Sequence, residues 1–143
     1  MERFKLNVAV YLLLIKGDKI LLLRRFNTGW QDGNYSLPAG HLEMGETPTS
    51  GMMREGLEEI GITLHKEDLE MVHTMHRIHG YYIDLFFTAK KWEGEIVNKE
   101  LNKCDDLNWF PLEDLPINIV PSVKSAIEQY KKGVHFSEFE MEG

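Results

Sequence analysis

Three glutamates, Glu55, Glu58 and Glu59, follow Arg54 in the run REGLEEIGI, and their spacing is the feature of this chain best suited to chemistry. On a helix turning about 100° per residue, Glu59 lies about 40° to one side of Glu55 and Glu58 about 60° to the other, so the three carboxylates share one face. Clustered carboxylates repel one another and weaken a bare helix. The same cluster suits a hard divalent cation, which takes oxygen ligands, and magnesium commonly joins one or two carboxylates to substrate phosphates. An acidic helix can therefore hold an anionic substrate through bridging metal. The plain alternative is a solvated acidic face, the usual meaning of E-x-x-E-E in isolation. The surroundings favour the metal: a glycine-rich turn, Ala39-Gly40 with Gly45, lies upstream, and Arg54 can pair across it with Glu46 or Glu43.

The elements that must position these groups are legible in the patterning. Thr47 followed by Pro48 reads as an N-cap and first helical residue, which predicts a helix from Pro48 to Ile60 with Gly61 at the C-terminal stop. Its apolar arc carries Met52, Met53, Gly56, Leu57 and Ile60. Upstream, two apolar runs flanking Lys16-Gly17-Asp18-Lys19 predict a hairpin, and a loop dense in Gly, Asn and Asp leads to a short strand near Tyr35–Leu37. Downstream, LEMVHTMHRI and YYIDLFFTAKKW read as strands about a turn at His79-Gly80, and Leu107–Leu112 as another. Pro121 opens a final helix closed by Gly133, and the tail from residue 134 is expected to be loosely held. The order predicts one α+β (mixed α/β) domain over residues 1–143, with no regular βαβ alternation.

Gly40, Glu46 and the run Arg54-Glu55-Gly56-Leu57-Glu58-Glu59-Ile60-Gly61-Ile62 resemble the Nudix box, G-x5-E-x7-R-E-U-x-E-E-x-G-U, where U is a bulky aliphatic. Every charged and glycine position is filled at the right spacing; Gly56 alone departs, standing where an aliphatic is expected. DGNYSLPAGHLE and WFPLEDLP also resemble segments of small MutT-like Nudix hydrolases, so the likeness runs from about Val8 to Tyr130. It implies a mixed sheet sandwiched between helices, and hydrolysis of a nucleoside diphosphate linked to another moiety with Mg²⁺ or Mn²⁺. By position it implies Glu55, Glu58 and Glu59 as metal-binding carboxylates, with the Gly40 carbonyl as an added ligand, and Glu46 and Arg54 as a pair that fixes the loop against the helix. The residue that takes the proton from the attacking water is then Glu55 or Glu58 in the box helix, or Glu100 in a later loop; the helix is favoured. For Gly56, either the helix approaches the sheet closely there or a large neighbouring side chain fills the space.

Residues outside the box must choose the substrate. Arg24 and Arg25 end a strand beside the glycine-rich loop and could meet a phosphate. His76 and Arg77 are candidates for contact with phosphate or base. Among Trp30, Tyr35, Tyr82 and Phe87, which could stack on a base, Tyr35 and Tyr82 join Arg24, Arg25, His76 and Arg77 as substrate-binding candidates. His73, His76 and His79 alternate faces on a strand and do not converge as zinc ligands. Cys104 has no histidine partner at nucleophile spacing.

Composition narrows the classes. Hydrophobic residues at 43% and charged residues at 27% describe an ordinary globular chain, and no apolar run reaches the length of a bilayer span. A net charge of −7 argues against a nucleic-acid duplex or an anionic membrane as main partner, while a phosphorylated small molecule remains compatible through a cation. The N-terminal apolar run lacks a small-residue cleavage site, and the single cysteine fits a reducing, cytoplasmic setting, as a monomer or homodimer. The compact length suits a nucleoside triphosphate pyrophosphohydrolase giving a nucleoside monophosphate and pyrophosphate. A dinucleoside-polyphosphate or nucleotide-sugar hydrolase is the alternative within the class. A non-catalytic Nudix-like nucleotide-binding module is the rival outside it, although such a module is expected to lose box carboxylates and this chain keeps them.

Overall fold

The computed structural model describes residues 1–143. Nine strands and two helices follow in the order β1 (Asn7–Leu13), β2 (Ile15–Lys16), β3 (Lys19–Arg25), β4 (Tyr35–Ser36), β5 (Ala39–His41), α1 (Pro48–Ile60), β6 (Leu69–Arg77), β7 (Tyr82–Ala89), β8 (Cys104–Pro111), α2 (Pro121–Lys131) and β9 (Phe136–Phe139). They make two sheets. One is five-stranded and mixed in the order β5-β1-β7-β6-β9; in the other, β3 is flanked by β8 on one edge and by β2 and β4 on the other. No helix is long and apolar enough to cross a membrane.

Alternation along the strands divides the apolar residues between two cores. Ala9, Tyr11 and Leu13 of β1 join Ile20, Leu22, Met75 and Phe86 in a core closed by Val123, Ala126 and Ile127 of α2. Val10, Leu12 and Leu14 face the other way, with Leu21 and Phe87, onto Met52 and Ile60 of α1. The result is the α+β sandwich expected from the sequence.

The expected pairing of the two N-terminal apolar runs needs correction. Gly17, at φ 63°, does turn the chain, but the hairpin that it closes has only the two pairs Ile15↔Ile20 and Lys16↔Lys19. The chain changes sheets at buried Leu14, and β1 pairs instead with β7 in parallel and with β5. Both runs are buried on both faces, so neither shows the alternation that would reveal a partner. The tail from residue 134 is not loosely held: β9 adds in parallel to β6, Phe139 is buried, and Ser122 N donates to Gly143 O at 2.8 Å.

Helix α1 has the predicted bounds. Thr47 and Ser50 cap each other's backbone N–H groups at 3.0 and 3.1 Å, and Gly61 ends the helix at φ 73°. Leu57, assigned to the apolar arc, is exposed; Met52, Gly56 and Ile60 carry the buried face. The two internal glycines have separate causes. A Cβ on Gly51 would lie 2.5 Å from Leu42 Cδ2, so its hydrogen admits the loop that follows β5. A Cβ on Gly56 would lie 2.7 Å from Cδ1 of fully buried Leu64, which occupies the space of the missing aliphatic. Gly56→Val should therefore cost about 1–3 kcal/mol through overpacking. Adding Leu64→Ala to it should cost less than the sum of the two single changes, as read by thermal unfolding of the four-member cycle.

Candidate active site

The carboxylate face of α1 meets the end of β5 and the loop that precedes β8. Gly40 lies on β5, and a Cβ there would fall 2.1 Å from the Glu55 carboxyl carbon, so only a hydrogen lets the acid settle against the strand. Glu59 reaches beneath it and accepts from Ala39 N at 2.7 Å. The loop carrying Glu100 is docked on the helix end. Lys99 N donates to Glu59 O and Val97 N to Ile60 O, both at 3.0 Å, which satisfies carbonyls that a helix terminus leaves without partners. Asn98 braces the turn by donating to Cys104 O at 2.7 Å and accepting from Glu100 N at 2.9 Å. Gly40, Glu55, Glu58, Glu59 and Glu100 thereby line one cleft of about 500 Å³, with Arg25 and Lys103 as its cations.

One arginine organises the acidic face. Arg54 forks onto Glu46 through Nε at 2.6 Å and Nη2 at 3.0 Å, and Nη2 also donates to His41 O at 3.0 Å. Its Nη1 donates to Glu55 at 2.6 Å and Glu58 at 3.1 Å, while Glu43 stands 3.6 Å away. Hydrogen bonds from Arg54 and from Glu43 N hold the Glu46 carboxyl down at about 2. The carboxyls of Glu55 and Glu59 are pushed up instead, chiefly by burial and then, for Glu59, by the Glu55 charge.

This donor set fits a hard cation. It consists of carboxylates with a backbone carbonyl at hand, and the deeper acids are those whose charge burial penalises. The acids do not form a closed cage of three; Glu55 and Glu58 each turn an oxygen to Arg54. Residues that would hold a divalent ion are Glu55, Glu58 and Glu59, with the Gly40 carbonyl.

The candidates outside the box divide. Arg25, Arg77 and Tyr82 meet in a second cleft of about 560 Å³ that shares Arg25, Ala39, Gly40 and His41 with the first. Arg24 lines neither cleft; its Nε donates to Asp105 at 2.7 Å. Tyr35 is a core residue whose hydroxyl donates to Asp106, and Phe87 lies in the core beneath α1. His76 lines neither cleft and alternates in burial with Arg77 along β6. His73 is buried, between Val134 O at 2.7 Å and the Ser137 hydroxyl at 2.8 Å. Sequence reasoning did not single out His41, whose Nε2 lies 2.6 Å from the Tyr82 hydroxyl, nor the bracing Asn98. Its place directly after Gly40 was the available signal for His41.

A carboxylate-lined cleft lies between a helix face, a sheet edge and a docked loop, a donor set of the kind that hard cations take. Residues 4–130 match the NUDIX domain, and the chain belongs to that family. It is 34% identical over 98 residues to the 8-oxo-dGTP diphosphatase of Escherichia coli, covering 67% of this chain and 74% of that protein. It is 32% identical over 112 residues to the NAD-capped RNA hydrolase NudC of Pseudomonas aeruginosa, where the match takes in 78% of this chain but 38% of the relative. The fold superposes on the crystal structure of a MutT NUDIX hydrolase from Burkholderia pseudomallei with a TM-score of 0.81 at 25% identity, covering 88% of this chain and 98% of that one. Members of this family generally need a divalent metal.

The Arg54–Glu46 pair has an acid-side consequence. A carboxyl lowered from 4.5 to about 2 on folding stabilises the native state above its unfolded value and loses that contribution as pH falls through its folded one. Circular dichroism melts between pH 5 and 2 should show Tm falling in the wild type, and less steeply in Glu46→Gln, which starts lower.

Proposed function

We propose that this chain is a Nudix hydrolase that cleaves a nucleoside diphosphate linked to another group, with Mg²⁺ or Mn²⁺ as cofactor. Its most specific form is a nucleoside triphosphate pyrophosphohydrolase releasing a nucleoside monophosphate and pyrophosphate. The observation that carries the reading is the gathering of Gly40, Glu55, Glu58, Glu59 and Glu100 around one cleft that also holds Arg25 and Lys103. The triphosphate form is supported by the diphosphatase relative, of which this chain covers 74%, more than the 38% of the RNA-cap hydrolase.

Each part of the cleft has a task in that reaction. Glu58 and Glu59, with Glu55 and the Gly40 carbonyl, would hold the cation. When bound, it neutralises pyrophosphate charge and acidifies a water. Arg25, common to both clefts, donates to a phosphate oxygen at their junction. The base is Glu55 or Glu58 in the helix, with Glu100, which faces Glu55 from the docked loop, as the competing candidate. Arg54 is a positioning residue whose Nη1 keeps Glu55 and Glu58 in place.

Phosphate and pyrophosphate release from a nucleotide panel, with Mg²⁺ or with chelator, tests the reading. Glu58→Gln and Glu59→Gln should each lower kcat/KM by roughly 100-fold or more, and chelator should abolish turnover. Mg²⁺ should also raise Tm in the wild type, because a ligand held only by the native state stabilises it, and should do so less in Glu59→Gln. Hydrolysis unchanged in both variants would overturn the assignment. Comparing Glu55→Gln with Glu100→Gln identifies the base: its loss should remove the acid limb of the rate profile, and Glu100→Gln, which removes no metal-binding carboxylate, should leave the Mg²⁺-induced rise in Tm.

A further inference from the structure

The second cleft is of a different kind from the acidic one. Its side walls are flat: Tyr82 stacks on His41 with centroids 5.4 Å apart, and Trp30 faces the guanidinium of Arg25 at 4.9 Å. Trp30 is held by its own loop, because Arg25 Nε donates to Trp30 O at 2.7 Å and Asp32 accepts from the N–H groups of Thr28 and Gly29. Between these walls stands Arg77, only 5% exposed. Its Nε and Nη2 fork onto buried Asp84 at 2.8 and 3.2 Å, and its guanidinium lies 4.1 Å from the Tyr82 centroid and 5.5 Å from that of Trp30. Its Nη1 alone has no acceptor in the protein.

A guanidinium carries only donors and keeps its charge at any working pH. Fixed by Asp84, Arg77 keeps Nη1 as an unpaired donor in the lining of the cleft, and an acceptor is its fitting partner. An amino group placed there would set donor against donor in a nearly buried site and leave both without partners. Ring-faced walls select a planar group, and the fixed donor selects one with oxygen at that edge.

We propose that this cleft binds the base of the nucleotide whose diphosphate lies in the acidic cleft, and that Arg77, aimed by Asp84, selects bases presenting a ring carbonyl over bases presenting an amino group. The proposal rests on the nucleotide hydrolase reading above. Asp84 acts through Arg77 and is a positioning residue.

The test compares pairs that exchange an oxo for an amino group, with the adjoining ring N–H becoming a bare nitrogen: ITP with ATP and UTP with CTP, by kcat/KM with Mg²⁺. The wild type should prefer the oxo member of each pair by about tenfold or more, mainly through KM, as expected for a site that leaves an unpaired polar group on the wrong ligand. Arg77→Lys keeps the charge beside Asp84 but loses the fork, and should bring the ratios to within about threefold. Asp84→Asn should erode the ratios in the same way. Tyr82→Leu should raise KM for all four substrates and leave the ratios standing. Equal use of ITP and ATP by the wild type, or a ratio that survives Arg77→Lys, would overturn the proposal. Calorimetric binding of IMP and AMP to the wild type separates the two readings: tighter IMP binding without hydrolysis of any triphosphate sinks the triphosphate form of the hydrolase reading alone. Equal binding of the two monophosphates sinks the base-selection proposal, and needs no variant to fold.

Discussion

The guanidinium of Arg54 is the interaction on which the rest of the site depends. It engages Glu46, Glu55, Glu58 and the carbonyl of His41 at once, and so ties the loop after β5, the acidic face of α1 and the strand end into one unit. Without it, three carboxylates would share one helix face uncompensated, two of them, Glu55 and Glu59, where burial already penalises their charge. Two glycines make the arrangement sterically possible. Gly40 gives the Glu55 carboxyl its place against the strand, and Gly51 lets Leu42 and the Glu46 loop lie close on the helix. A segment that looks unfavourable as an isolated helix is thus stabilised by contacts made from outside it.

The two clefts follow from how the sheets are joined. Because the chain changes sheets at Leu14, β3 ends with Arg25 beside β5 of the other sheet, and this arginine borders both clefts. The acidic cleft is completed by a loop whose backbone N–H groups bond the last carbonyls of α1, so Glu100 is carried to Glu55 and Glu59 by the helix end itself. The neighbouring cleft takes its cation from the five-stranded sheet, where the buried Arg77–Asp84 pair joins β6 to β7. A charge pair this deep is weak evidence for stability, since desolvation offsets the attraction, and its value here is the fixed direction that it gives the arginine.

Much of α1 and its chemistry was legible because the information is local. Caps at Thr47 and Gly61, the placement of Glu55, Glu58 and Glu59 on one face, and the reach of Arg54 to Glu46 all lie within a few helical turns and one loop. The strands were legible as apolar runs, but their partners were not: β1 and β3 are buried on both sides, and a run without alternation says nothing about which edge it meets. The sequence offers Tyr35 as a base-stacking aromatic and Arg24 as a phosphate contact beside the glycine-rich loop. Pairing of β3 with β4 and β8 turns the first into the core and the second onto Asp105.

The tail and Gly56 show the same division. A run of mixed polar and aromatic residues after Gly133 carries little periodicity, yet the open edge of β6 offers it a full ladder of backbone partners, and it becomes β9. Gly56 breaks the aliphatic pattern of its segment for a reason that lies at Leu64, across the helix C-terminus, where one side chain fills the volume of another. The sequence by itself determined the acidic helix, its caps and its family, since these rest on contacts between near neighbours. Tertiary structure alone decided which arginines and aromatics face the clefts, because a side chain's direction depends on the strand edge that its backbone finds.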